Sequence, residues 1–241
     1  MLILFYVRKK RKCYCMKILC VSDETERLIY SNNAKERYKD IDFVLSAGDL
    51  NLEYNDFILT VLNKELYYVF GNHNLKFFNR IMKNTLPPYG THEVEILNVP
   101  YSGILLDGKV KRDKRSKVLL AGVGGSMRYN KGLNQYTEAQ MKRRLNRLVP
   151  RLILNKLLYG RYLDILVCHS PAFNLGDGED LCHRGFKCFL PFLRKYKPKY
   201  MIHGHVHLYD ENANRIHKYA STKIVNVFRS YIIDDGEIGD K

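Results

Sequence analysis

The stretch KILCVSDETER, residues 17–27, decides how the rest of the chain is read. Ile18 to Val21 is an unbroken apolar run of strand length, and it ends in Ser22 and Asp23. A run this short and this apolar reads as a strand buried on both faces. A carboxylate at its mouth is costly unless it finds a partner. Asp23 therefore asks for partners from distant parts of the chain.

Working outward, runs of the same kind recur. They are DFVLSAG (42–48), ELYYVFG (65–71), VEILNV (94–99), GILLD (103–107), KVLLAGVGG (117–125), LDILVCHS (163–170) and YMIHGH (200–205). Helical patterns fill several gaps: NDFILTVLNK (55–64), TEAQMKRRLNRL (137–148) and RGFKCFLPFLRKY (184–196). Thr137 and Gln140 have the spacing of a capping box. Pro150 predicts a break or kink in the apolar stretch that follows. The tail alternates in RIHKYASTKIVNVF and SYIID, which predicts antiparallel strands. Strands interleaved with helices make a mixed α/β domain. Residues 16–241 are expected to form it as one unit, with residues 1–15 as an extension outside the fold.

Composition narrows the classes. Hydrophobic residues make up 46% of the 241, which excludes a disordered chain. No segment approaches the ~20 apolar residues of a transmembrane helix. The start, MLILFYVRKKRKCYC, puts apolar residues before basic ones, the reverse of a secretory signal. It reads as an extension upstream of Met16, or as a weak anchor on anionic lipid. The net charge is +15. Residues 8–12 supply five of those charges and KVKRDKRSK (109–117) five more, so the remainder is unremarkable. The second run reads as a solvated hairpin tip or as a contact for phosphate-rich ligands such as nucleic acid. The six cysteines include no CxxC pair, which fits a reducing cytoplasm.

The ends of the runs carry the chemistry. They lead into Asp23, Gly48-Asp49, Gly71-Asn72-His73, His169 and Gly204-His205-Val206-His207. Ligands in α/β sheets sit beyond the carboxyl ends of strands, where these residues can converge. Carboxylate, amide oxygen and imidazole together suit Mn, Fe, Zn or Ni better than Mg or Ca. Taken singly, Asp23 and Asp49 also read as helix N-caps and His169 as a core histidine.

The ordered set Asp, Gly-Asp, Gly-Asn-His, His, Gly-His-x-His resembles the calcineurin-like metallophosphoesterase superfamily over nearly the whole chain from Met16. The resemblance implies a four-layer sandwich of two mixed β-sheets flanked by helices, with two divalent transition metals at the strand ends. It implies that Asp49 bridges the metals and that Asn72, His169 and His205 complete one shell. Asp23 and His207 would hold the other metal, and His73 would stand beside the substrate phosphate. It implies a hydrolase of phosphomonoesters or phosphodiesters, in which a water acidified between the metals attacks phosphorus.

Three positions depart from the family pattern. Thr25 stands where the family has a histidine ligand, so Glu24 or water fills that place, or the first site is weak or empty. Asn74 follows the Gly-Asn-His motif in place of an acid, as a possible ligand or a neighbour of one. The Gly-Asp motif continues Leu50-Asn51, without the signature of protein phosphatases. Two further residues are candidates for a substrate phosphate, Arg128 in GVGGSMRYNKGLNQYTE and His183 in NLGDGEDLCHRGF. The alternatives are a non-catalytic scaffold of the same fold and a phosphodiesterase acting on nucleic acid.

Overall fold

The computed structural model describes residues 16–74, 103–210 and 212–235. Its strands in chain order are β1 (Met16–Ser22), β2 (Phe43–Ser46), β3 (Leu66–Tyr68), β4 (Ile104–Leu105), β5 (Val110–Arg112), β6 (Leu119–Val123) and β7 (Ser126–Met127). Then come β8 (Gln135–Tyr136), β9 (Ile165–Cys168), β10 (Tyr200–His203), β11 (Ile216–Tyr219), β12 (Thr222–Asn226) and β13 (Arg229–Asp235). The helices are α1 (Ala34–Arg37), α2 (Leu52–Leu62), α3 (Glu138–Tyr159) and α4 (Phe189–Tyr196).

Two mixed sheets form the centre. One runs β13-β1-β2-β3-β4 and the other β11-β12-β10-β9-β6-β5, while β7 and β8 pair separately. The central strands of each sheet are parallel. Because their side chains alternate between two buried faces, the runs are apolar throughout. Ile18, Cys20, Leu45, Val167 and Ile202 point inward and join the sheets. Leu19, Val21 and Val44 point outward onto α1 and α2. Leu166 and Met201 point outward onto α3 and α4. The result is the four-layer sandwich, helix–sheet–sheet–helix.

Local signals set the helix ends. Asn51 caps α2 by accepting from the Glu53 N–H, so the helix begins at Leu52, three residues before its predicted start. Thr137 and Gln140 form the expected capping box. The break predicted at Pro150 does not occur, and α3 runs on to Tyr159. Pro150 and Asn146, whose carbonyl loses its helical partner, both lie on the exposed face, where water can serve that carbonyl. Residues 184–188 precede α4 as loop rather than helix. The run at 94–99 lies outside the described residues. The basic stretch 109–117 is a hairpin, with β5 antiparallel to β6. Its single acid, Asp113, turns inward and accepts from the Tyr67 hydroxyl and from Ser116.

Candidate metal centre

Strands β1, β2 and β3 stop at the same level, because their ladder bonds run on into the loops: Ala47 N–H to the Val21 carbonyl, and Val69 N–H to the Ser46 carbonyl. Asp23, Asp49 and Asn72 therefore leave one sheet side by side. Strands β9 and β10 do the same across the sandwich, and the Gly204 N–H reaches the His169 carbonyl. The centre straddles the two sheets.

Three of these residues sit in the left-handed backbone region: Asp23 at φ 66°, Asp49 at φ 56° and His205 at φ 69°. Such conformations cost on the order of 1–3 kcal/mol each and cluster at functional sites. Here they turn the side chain at each strand end back toward the others. The motif glycines make room for this. A Cβ on Gly71 would lie 2.1 Å from Asp49 Oδ1, and one on Gly204 would lie 2.2 Å from Asp23 Oδ2.

Hydrogen bonds decide which ring nitrogen faces the cluster. His169 Nδ1 lies 2.9 Å from the Ala47 carbonyl. A carbonyl can only accept, so Nδ1 carries the hydrogen and Nε2 faces inward. There it meets Asn72 Oδ1 at 3.1 Å and Asp49 Oδ2 at 3.1 Å. Asn72 is held by its Nδ2, which donates to the Tyr129 hydroxyl at 3.2 Å. By the same logic His205 Nε2 donates to the Cys182 carbonyl at 2.7 Å, which leaves Nδ1 as its electron-pair donor. The rings of His169 and His205 are 4.9 Å apart. Asp49, His169 and His205 each offer a ligand atom within 4.8 Å of the others.

Among the described residues, electron-pair donors thus converge with nothing positive among them except a proton. Burial disfavours the His169 cation, but the Asp49 carboxylate outweighs that and raises its pKa. Burial and then His169 push His205 down to about 3, so it stays neutral. One buried position that demands positive charge, ringed by carboxylate, amide oxygen and neutral imidazole, fits a divalent cation.

The Asp23 side of the cluster is built differently. Both Asp23 oxygens accept from the His205 N–H, at 3.1 and 3.0 Å. His207 Nε2 stands 3.7 Å from Asp23 Oδ1, and its ring stacks on Phe228 with centroids 4.8 Å apart. His207 Nδ1 lies 2.9 Å from the Tyr209 hydroxyl, which donates to Glu24 Oε1 at 3.2 Å. The hydroxyl proton is committed to Glu24, so Nδ1 carries a hydrogen and Nε2 turns toward Asp23. Glu24 also pairs with Arg229 Nε at 3.0 Å. Its carboxylate thus orients His207 through Tyr209, while Thr25 lies exposed.

The other candidates fall as follows. His73 is exposed and its N–H donates to Asp49 Oδ1 at 2.8 Å. It opens onto a cleft of about 240 Å³ shared with Asp49 and Asn74. Asn74 spends both its polar atoms on backbone: Oδ1 accepts from the Asp49 and Gly71 N–H groups and Nδ2 donates to the Leu50 carbonyl. His183 stands with its ring 5.3 Å from that of His205, and Asp180 holds its Nδ1 at 2.8 Å. Asp180, Cys182 and His183 make a second, outer group of ligand atoms. Arg128 does not join the cluster and bonds instead to the Gln135 carbonyl and Gln140 Oε1. Tyr129, Tyr209 and Arg229 carry no motif of their own. Tyr209 alone had a signal, two residues after His207 on the same loop.

A family model for calcineurin-like phosphoesterases matches residues 16–209. No curated protein sequence matches the chain. Among solved structures, one that is 17% identical has a TM-score of 0.61 and covers 92% of this chain and 95% of its own. TT1561 of Thermus thermophilus is 13% identical, with a TM-score of 0.57 over 90% of each chain. Both likenesses concern the fold.

Proposed function

We propose that this chain, which belongs to the calcineurin-like phosphoesterase family, hydrolyses a phosphomonoester or phosphodiester with divalent transition metals held between its two sheets. The observation that carries the reading is the meeting of Asn72 Oδ1, Asp49 Oδ2 and the inward Nε2 of His169, atoms that share no hydrogen unless His169 is charged. Asp49, Asn72, His169 and His205 would hold one ion. Asp23, His207 and Asp49 would hold a second, less tightly because Thr25 supplies no ligand. When bound, such ions acidify a water and neutralise charge on the phosphoryl oxygens.

The chain's own groups do the rest. Asp49 and Asp23 set the negative charge that recruits the cations. Ala47 and Cys182 keep His169 and His205 in the tautomers that donate electron pairs. His73, exposed on the rim, gives a proton to the leaving oxygen. His183, steadied by Asp180 at Nδ1, leaves Nε2 for a phosphoryl oxygen. Residues 16–241 act as one domain, and the buried thiols of Cys20 and Cys168 favour the cytoplasm.

The test is metal content measured beside turnover of aryl phosphate mono- and diesters across Mn²⁺, Fe²⁺, Zn²⁺ and Ni²⁺, for the wild type and Asp49→Ala. Metal-dependent turnover lost in Asp49→Ala is expected. Turnover that survives Asp49→Ala would sink the two-metal reading. Less than one equivalent of metal and no turnover would favour a scaffold of the same fold.

A further inference from the structure

Helix α3 buries Met141, Leu145, Leu148, Leu152 and Asn155 against the sheet. At 100° per residue, the opposite face of its last turns carries Ile153, Leu154, Leu157 and Leu158. They are 50%, 37%, 78% and 58% exposed. A helix apolar on every side belongs in an apolar medium, and this one faces outward at its C-terminal end. Its outer N-terminal half is cationic. Arg143, Arg147 and Arg151 follow one another at every fourth position, all exposed, and none has a carboxylate partner among the described residues. Glu138 is the only acid in the helix.

The neighbouring surface has the same sign. Arg112 of the basic hairpin packs its guanidinium over the Tyr159 ring at 4.5 Å, which ties the hairpin to the end of α3. Asp113 is spent inside the turn, so Lys111, Lys114 and Arg115 are left exposed without an offsetting acid on the tip.

We propose that the outer face of α3 docks on an anionic lipid surface, with Leu157 and Leu158 entering the headgroup boundary and the arginine row meeting lipid phosphates. A ridge of exposed aliphatic side chains bordered by cations that have no carboxylate partner among the described residues has the composition of a helix lying in a membrane interface. Nucleic acid would satisfy the arginines but leave four aliphatic side chains in water. A second copy docked two-fold through Leu157 and Leu158 would cover the leucines but bring no anionic partner to the arginine row.

The experiment is co-sedimentation of the full chain with vesicles of phosphatidylcholine alone and of equal parts phosphatidylcholine and phosphatidylglycerol. Residues 2–12 share the apolar and basic character, so the variants decide. Leu157→Glu/Leu158→Glu and Arg147→Glu/Arg151→Glu are expected to weaken binding to the anionic vesicles about tenfold or more, with melting temperature and phosphoesterase turnover unchanged. Wild-type binding is expected to fall with salt and to be absent on phosphatidylcholine alone. Binding by both variants equal to wild type, or no wild-type binding, overturns the proposal. So does a dimer in sedimentation velocity that Leu157→Glu/Leu158→Glu dissolves, or a DNA affinity exceeding the lipid affinity.

Discussion

Asn74 fixes the backbone of Asp49. Its Oδ1 accepts the Asp49 N–H at 2.7 Å and the Gly71 N–H at 2.8 Å, and its Nδ2 donates to the Leu50 carbonyl at 2.7 Å. One amide thereby clasps the loop after β2 to the loop after β3 and holds Asp49 in its left-handed turn. A carboxylate offers the acceptors but cannot donate to Leu50.

Asn74→Asp is accordingly expected to be worse than wild type despite its likeness to the family pattern. It sets a carboxylate oxygen against the Leu50 carbonyl and should cost about 1–3 kcal/mol of stability. Asn74→Ala removes all three bonds and should cost at least as much, with weaker metal binding. Chemical denaturation and metal titration check both. An Asn74→Asp protein as stable as wild type would remove this account.

The Tyr209–Glu24 relay makes a separate prediction. Tyr209→Phe removes the acceptor that holds His207 Nδ1, and loss of such an outer partner typically weakens a metal ligand about 10–100-fold. On the proposed two-metal reading, the loss should fall on the ion that Asp23 and His207 would hold and spare the one that Asp49, His169 and His205 would hold. Calorimetric titration with Mn²⁺ separates the two events. Thr25→His should act oppositely and tighten the weaker event.

Gly71→Ala tests the close approach. Its Cβ would fall 2.1 Å from Asp49 Oδ1 and 2.7 Å from His169 Cε1, so the Asp49 carboxylate must shift. A displacement of that size should lower kcat/KM by about a hundredfold. Metal content should drop with it. Wild-type metal content and turnover in Gly71→Ala would show that the cluster is looser than its distances indicate.

Asp113 makes stability depend on pH far from the candidate metal centre. Burial raises its carboxyl, but hydrogen bonds from Ser116, Tyr67 and the Arg115 N–H outweigh that and hold it below the ordinary value. The folded form therefore binds its proton more weakly than the unfolded chain. Its contribution is complete above the unfolded pKa of about 3.9 and fades as pH falls through the lower folded value. Asp113→Asn should be about 1–2 kcal/mol less stable near neutrality. The gap should begin to narrow below about pH 4 and close only once pH falls past the lower folded value. Denaturant titrations across that range measure it, and a gap independent of pH contradicts the assignment.

The strand ends were the legible part of this molecule. Asp23, Asp49, Asn72, His169 and His205 each follow an apolar run, and parallel strands that stop together bring such residues together whatever the sequence distance. Glu24 shows where reading stops. Its partners Tyr209 and Arg229 lie 185 and 205 residues away. Which way it points depends on the left-handed turn at Asp23, which no periodicity encodes. Pro150 failed as a helix breaker because its effect depends on whether the freed carbonyl meets water, a property of the assembled surface. Tyr129 was silent for a related reason, since a lone tyrosine in a glycine-rich loop carries no spacing to read.

Asp23, Asp49 and Asn72 belong to one sheet, and His169, His205 and His207 to the other. An ion seated among them would rivet the two halves of the sandwich. The core beneath it, where Ile18, Leu45, Val167 and Ile202 meet, thereby becomes a tuning element for the site above. Trimming Val167 to Ala leaves every candidate ligand untouched, yet it is expected to loosen the contact between the sheets and so to shift the gap those side chains would span. In this architecture the affinity for such an ion would gauge sheet-to-sheet spacing, and packing far below the cleft would set the reading.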